Sequence, residues 1–302
     1  MRVLVTGWFS LDDGEITAGD MLACETVRGW LAAAGVPHDI AVIEGFRRGG
    51  ETGAEHVDPA RYSDVLFVCG PVASPKVTRL LKRFEHCRRI AVGVSLTPGA
   101  GGSFDAVLAR DDGAVARPDL SLGAPAAATA VVGVTLGHPQ PEYGERGRHD
   151  VAERLVRDLM RGASAAPLEL DTRLDERDEL SCRTAARFTS LVARVDAVVT
   201  TRMHGLVLAL RAGVPAVALD PIAGGAKVAG QAAALDWPAA CTVDGASVPA
   251  LAELLDWCLT DEARVRAAAC AQAGRRGLQQ QTRMQLLALL TGDGGRARSP
   301  AQ

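Results

Sequence analysis

The chain of 302 residues is poor in aromatics, at 4%, so its cores must be built from Ala, Val and Leu. It is almost without lysine: Lys76, Lys82 and Lys227 are the only ones among 33 basic residues. Beside abundant Ala and Gly, that imbalance reads as a coding bias, and it draws attention to each lysine that is present. The seven cysteines include no C-x-x-C pair. This spacing excludes a disulfide frame and a cysteine zinc site, and fits reduced thiols in a cytosol. No apolar run approaches 18 residues, because Arg211 interrupts the most apolar stretch, so no transmembrane helix is expected. Arg2–Gly7 reads as a strand with no signal-peptide core before it. Positive charge is lacking too: the net charge is −3 and the pI about 6.1, which argues against nucleic acid or anionic membrane as the main partner. A cytoplasmic protein is expected.

What is present suffices for two globular domains. Hydrophobic residues make up 48% and charged residues 23%, and 302 residues is two domains at about 150 each. Short apolar runs bounded by Gly or Pro alternate with helical patterns. In the first half, strands are predicted at Val3–Thr6, His38–Val42, Val65–Cys69, Ile90–Ser95 and, as an edge, Val107–Arg110. Helices are predicted at about Gly19–Ala34 and Pro75–His86. Gly123–Ala128 reads as a linker. In the second half, strands are predicted at Val131–Leu136, Leu168–Asp171, Asp196–Thr200 and Val214–Leu219. Its helices are predicted at Asp150–Gly162, Glu179–Ala193, Gly205–Ala212, Val228–Ala234, Leu251–Leu259 and Asp261–Leu290. The fold class expected is α/β, with two doubly wound Rossmann-like domains and a ligand cleft between them. Their expected bounds are 1–127 and 128–291, followed by a disordered tail over 292–302.

The chemistry concentrates in Asp196–Gly205, where a buried strand runs into Arg202-Met203-His204-Gly205 and an apolar helix. A strand's carboxyl end and a helix's amino end meet there. Unpaired N–H groups and the helix dipole favour an anion at such a place. Arg202 adds a fork matched to carboxylate or phosphate, and His204 a proton exchanged near neutral pH. Gly205 is expected to let a ligand approach the backbone. The alternative is a salt-bridged Arg202 and a merely capping His204. The next strand ends in Asp220-Pro221, followed by Gly224-Gly225-Ala226-Lys227. This is not a P-loop, since G-x-x-x-x-G-K-[ST] is absent, and Lys227 is either a second cation of the site or a solvated loop lysine. After Val131–Leu136 come His138, Arg146, Arg148 and His149; His138, nearest the strand, is the better candidate of its two histidines. His38, His56 and His86 have no charged companions at strand ends and read as structural. Asp12 and Asp13, in the first loop, are candidate hydroxyl binders or bases.

Asp196–Gly205, followed by Ala209–Leu219 with its Gly213-Val214-Pro215 and then Lys227-Val228, resembles the polysaccharide pyruvyl transferase family. Gly19-Asp20, Asp64–Gly70, Arg110-Asp111 and Pro118-Asp119-Leu120 resemble that family's N-terminal half. Thr17 stands where the family usually has Asn, Cys69-Gly70-Pro71 where it has a glycine triplet, and the chain is short for it. The resemblance implies a glycosyltransferase-B-type architecture. It also implies transfer of pyruvate from phosphoenolpyruvate to a pair of hydroxyls on a sugar or glycolipid acceptor, forming a ketal. Phosphoenolpyruvate is then the donor substrate, with no separate cofactor and no metal. His204 and His138 are the expected catalytic residues. Arg202, Met203, Gly205 and Lys227 would bind the donor, with Asp20 and Asp12 on the acceptor side.

Two other functions stay open. A nucleotide-sugar glycosyltransferase needs a carboxylate on a C-domain helix for the ribose hydroxyls, and neither Gly205–Leu219 nor Val228–Leu235 contains Asp or Glu. The N-terminal departures motivate the other, a non-catalytic sugar- or anion-binding protein.

Overall fold

The computed structural model describes residues 1–291 apart from 12–15, 48–49, 97–101, 127, 176, 178–181 and 278–279. Asp12, Asp13 and the expected tail at 292–302 lie outside the described residues. The chain divides into two compact units, Met1–Ala127 and the remainder from Ala128. Each is α/β and built on one parallel sheet.

The first unit contains β1 (Val3–Gly7), α1 (Ala18–Ala33), β2 (His38–Val42), β3 (Thr52–Gly53), β4 (Asp64–Val68), α2 (Pro75–Lys82), β5 (Arg88–Ser95) and β6 (Ala106–Asp111). The strand order is β3-β2-β1-β4-β5-β6, all parallel. The chain winds outward from β1, then returns to add β4 on β1's other side, which is the dinucleotide-binding order with its switch point between β1 and β4. Every residue of β1 and β4 is buried, because elements cover both faces of a parallel sheet and the strands therefore read as unbroken apolar runs. Val3 and Val5 meet Ala23, Cys24 and Val27 of α1 on one face. Leu4 meets Tyr62, Val65 and Phe84 on the other. Four phenylalanines are fully buried: Phe9, Phe67 and Phe84 here, and Phe188 in the second unit.

The second unit contains β7 (Val131–Thr135), α3 (His149–Gly162), β8 (Ala166–Glu169), α4 (Ala185–Val192), β9 (Ala197–Thr200), α5 (Met203–Ala212), β10 (Ala216–Asp220), α6 (Lys227–Ala234), β11 (Ala240–Thr242), α7 (Val248–Cys258), α8 (Asp261–Arg276) and α9 (Gln280–Thr291). Its parallel order β11-β10-β9-β7-β8 is the flavodoxin-like one, with the switch point between β7 and β9. Leu206, Ala209 and Leu210 anchor α5 in the core against β9 and β10. Fully burying a leucine stabilises by about 1.5–3 kcal/mol, so two of them fix the helix whose first turn faces the site.

Several elements differ from the sequence reading. The predicted helix Glu179–Ala193 is α4, starting only at Ala185; residues 178–181 lie outside the described ones, and Cys182–Thr184 are not helical. Thr184 fixes that start by accepting the Arg187 N–H on its side chain. The helix from Pro75 ends at Lys82 rather than His86. The long helix from Asp261 is two helices, α8 closing on Gly277 at φ 106°. Strands β3 and β11 went unread, since two and three residues are too few for a hydrophobic period to show.

Candidate functional site

The carboxyl ends of β7 and β9 are tied together by threonines. Thr200 Oγ1 and the Thr201 N–H both donate to Thr135 O, at 3.1 and 3.0 Å. Thr201 Oγ1 accepts the Gly137 N–H at 2.6 Å. Just beyond these bonds, at the switch point, lies a cavity of about 180 Å³ lined among others by His138, Tyr143, His149, Arg202, His204 and Lys227.

Arg202 is the extended residue that precedes α5. Its N–H rests on Thr200 Oγ1 at 2.9 Å. Its guanidinium donates through Nε to Leu136 O at 2.6 Å and through Nη1 to Thr172 Oγ1 at 3.2 Å, and Nη2 stands 3.5 Å from Asp171 Oδ1. These partners hold the fork in one orientation at the cavity wall. Burial works to raise the Asp171 carboxyl, but bonds from Arg173 and the charge of Arg202 together hold it below the usual carboxylate range.

No side chain caps α5, and Met203 and His204, which open the helix, line the cavity. The neighbouring helix start is closed. Asp220, fully buried at the end of β10, accepts the N–H groups of Ile222 (3.0 Å), Ala226 (2.7 Å) and Ala229 (2.9 Å). That carboxylate already occupies the amino end of α6 as an anion would.

Lys227 opens α6. Its Nζ is 3.4 Å from Glu142 Oε1 and 5.4 Å from the Tyr143 ring centroid, and Tyr143 first, then Glu142, raise its pKa and keep it charged. The β7–α3 loop carrying Glu142 and Tyr143 is clamped to the β10–α6 loop. Arg146 donates to Ala223 O and Gly225 O, both at 3.0 Å, and Arg148 N donates to Pro221 O at 2.8 Å.

Three histidines line the cavity. His138 Nε2 stands 3.9 Å from Asp171 Oδ2. His204 is exposed and has no hydrogen-bond partner among the described residues. His149, the first residue of α3, is buried; burial pushes its pKa down, partly offset by Asp220, so the ring is neutral at pH 7.

The cavity thus brings Arg202, Met203, His204, Lys227 and His138 together. Gly205 plays a different part from the one expected. It is buried, and a Cβ there would run into the Thr200 hydroxyl, so it serves the packing of α5 on β9 and does not line the cavity. Asp20 lies in the first unit, at the third position of α1, where its carboxylate and Thr17 cap each other. Sequence reasoning passed over Asp171, Thr172, Asp220 and Tyr143 and ranked His149 second. Their only signal was position: Asp171-Thr172 and Asp220 each stand at a strand's carboxyl end. Among the described residues, Glu44, Glu55 and His56 form the one group close enough to share a metal ion; all three are exposed and sit in the first unit.

Residues 138–221 match the model of the family described as polysaccharide pyruvyl transferase, a segment running from the loop after β7 to the end of β10. No curated protein matches the chain. Solved structures similar to it include the glycotransferase of kitacinnamycin (13% identity, 95% of this chain and 97% of that one, TM-score 0.37). Spinosyn rhamnosyltransferase SpnG complexed with thymidine diphosphate is another (13%, 90% and 95%, TM-score 0.34). A third is the UDP-GlcNAc 2-epimerase of Methanocaldococcus jannaschii (8%, 87% and 94%, TM-score 0.33).

Proposed function

We propose that this protein, whose residues 138–221 carry the polysaccharide pyruvyl transferase match, transfers a pyruvyl group from phosphoenolpyruvate to two hydroxyls of a sugar in a polysaccharide or glycoconjugate precursor. The observation that carries the reading is the uncapped start of α5 beside the Arg202 fork, next to an α6 start already closed by Asp220. One helix terminus and one guanidinium offer donors to a small dianionic or trianionic ligand. The cavity of about 180 Å³ is smaller than the roughly 300–1,000 Å³ of pockets for drug-sized ligands, which favours phosphoenolpyruvate over a nucleotide-sugar.

In this reading Arg202 and the α5 N–H groups hold the donor's carboxylate and phosphate, with Lys227 adding a point charge. His204, exposed at the cavity and unpaired among the described residues, gives a proton to the methylene carbon of the enol. The adjacent carbon then takes the first sugar oxygen. Phosphate leaves as its C–O bond breaks, and the second sugar oxygen closes the ketal. Of the two hydroxyl protons, one replaces that given by His204 and the other departs with phosphate, so atoms and charge balance. His138, beside Asp171, is the second proton carrier.

The test is incubation of the protein with phosphoenolpyruvate and a panel of glycosides, following phosphate release and product mass. Release that requires both substrates, with a ketal product, is expected. Thermal stabilisation by UDP- or GDP-sugars with no release from phosphoenolpyruvate would overturn the reading in favour of glycosyl transfer. Stabilisation by phosphoenolpyruvate without turnover on any acceptor would mean a non-catalytic binder.

A further inference from the structure

Of the six histidines, five are exposed or half-buried and one, His149, is buried. It is 8% exposed, and its ring lines the cavity beyond β7 and β9. Neither ring nitrogen has a hydrogen-bond partner among the described residues. Nor does either belong to the fully enclosed polar atoms left unpaired there, which are Thr6 Oγ1, Arg89 Nε and Thr135 Oγ1. The nitrogens therefore open on the cavity. Buried polar groups are ordinarily hydrogen-bonded, so an unpaired one facing a cavity points to a ligand.

The groups around the ring leave it without a proton. Asp220 faces it from β10, but that carboxylate already accepts the N–H groups of Ile222, Ala226 and Ala229. Asp150, next in α3, is paired with Arg154 at 3.0 Å, and Glu142 in the preceding loop stands by Lys227. His138, from the same loop, opposes protonation. The α5 and α6 starts add the cations Arg202 and Lys227 and the ring of His204 to the lining. Burial, with His138, outweighs Asp220, Asp150 and Glu142 and keeps the ring neutral.

We infer that a phosphate-bearing anion entering this cavity binds together with a proton from solvent, and that His149 is the residue that takes the proton up. The ring is short of a partner and desolvated, and negative charge brought within about 4–6 Å favours its charged form. The imidazolium then donates a charge-assisted hydrogen bond to the anion. Affinity therefore rises as pH falls from the ring's value in the complex to its lower value in the free protein. The proton returns to solvent when the anion leaves, so the balance of the proposed reaction is unchanged. The inference rests on the pyruvyl-transfer reading only in making the anion phosphoenolpyruvate; the coupling stands on the ring and its cavity.

The experiment is calorimetric titration of the full chain with phosphoenolpyruvate and, separately, inorganic phosphate, in buffers of differing ionisation heat. Wild type should take up more protons per anion bound at pH 7 than His149→Gln does. From pH 8 to 6.5 its affinity should improve, relative to the variant's, by about threefold or more. The anion's own titration is common to both proteins and cancels. Ring-labelled histidine NMR reads wild type alone and decides even if the variant does not fold: the buried ring, neutral in the free protein, should become charged on binding. Equal uptake in the two proteins, or charging of exposed rings such as His138 and His204 only, overturns the inference. Phosphoenolpyruvate turnover without charging of His149 would end this inference alone. Linked uptake with inorganic phosphate but no binding of phosphoenolpyruvate would end the proposed reaction alone, and binding of neither anion would end both.

Discussion

Thr200 fills the space that a side chain at residue 205 would need: a Cβ on Gly205 would lie 2.9 Å from the Thr200 Cβ and closer still to its hydroxyl. The same hydroxyl accepts the Arg202 N–H and donates to Thr135 O. One contact therefore couples the packing of α5 on β9 to the seating of the arginine beside the cavity. Gly205→Ala should destabilise by about 1–3 kcal/mol, the usual cost of overpacking. Thr200→Ala combined with it should cost less than the sum of the single changes, because the clash with the hydroxyl is gone and only the 2.9 Å approach to the Cβ of residue 200 remains. Urea unfolding of the three variants measures both; additive losses would mean that the contact does not couple the two residues.

Arg202→Lys keeps a charge but has no fork with which to hold Leu136 O and Thr172 and still face the cavity. Losing a charge-assisted bond costs about 1.5–3 kcal/mol, so phosphoenolpyruvate binding should weaken roughly 10- to 150-fold. Lys227→Ala should weaken it less, and by an amount that shrinks with added salt, since Lys227 is half-exposed. Calorimetric titration of both variants at two salt concentrations separates the two effects. An Arg202→Lys variant that binds normally would remove the guanidinium from the donor site.

His204→Ala should lower kcat about 100-fold or more, the scale of losing a general acid, with little change in phosphoenolpyruvate affinity. Because the ring is exposed and without a partner among the described residues, its removal should leave the melting temperature unchanged. Steady-state kinetics of phosphate release decides; near-normal turnover would reduce His204 to a bystander at the helix start.

His149 makes stability depend on pH. Burial depresses its pKa in the folded chain below the ordinary value of 6.5. The unfolded chain then binds the proton more readily than the folded one. Stability from this group is fully present above pH 6.5 and is lost as pH falls from there through the folded value. His149→Gln, which keeps much of the volume and cannot be protonated, should flatten the fall. The measurement is the difference in urea midpoint between wild type and variant from pH 7.5 to 5. Taking the difference cancels the contribution of facing groups such as His138, Glu142, Asp150 and Asp220 that both proteins share. A constant difference would mean that His149 titrates alike in both states.

By itself, the sequence determined most of the strands and helices, though not all their bounds, and where one charged turn falls. The apolar runs of β1, β4, β9 and β10 and the spacing of Leu206 and Leu210 are local periods, and burial on a parallel sheet follows from them. Arg202 and His204 were legible because a strand's end and a helix's start lie three residues apart in the chain. The partners of those residues were not. Asp171 and Thr172 reach Arg202 because β7 pairs with both β8 and β9, an order set by long-range strand pairing that no local period encodes. The same order brings the loop bearing Glu142 and Tyr143 against Lys227. Asp220 was legible only as the end of a strand; the folded loop, curling the N–H groups of Ile222, Ala226 and Ala229 back onto its carboxylate, makes it the plug of α6. Gly205 read as an approach for ligand and proved to be a matter of volume, since whether a missing Cβ faces a ligand or a neighbouring hydroxyl depends on what the tertiary fold places there.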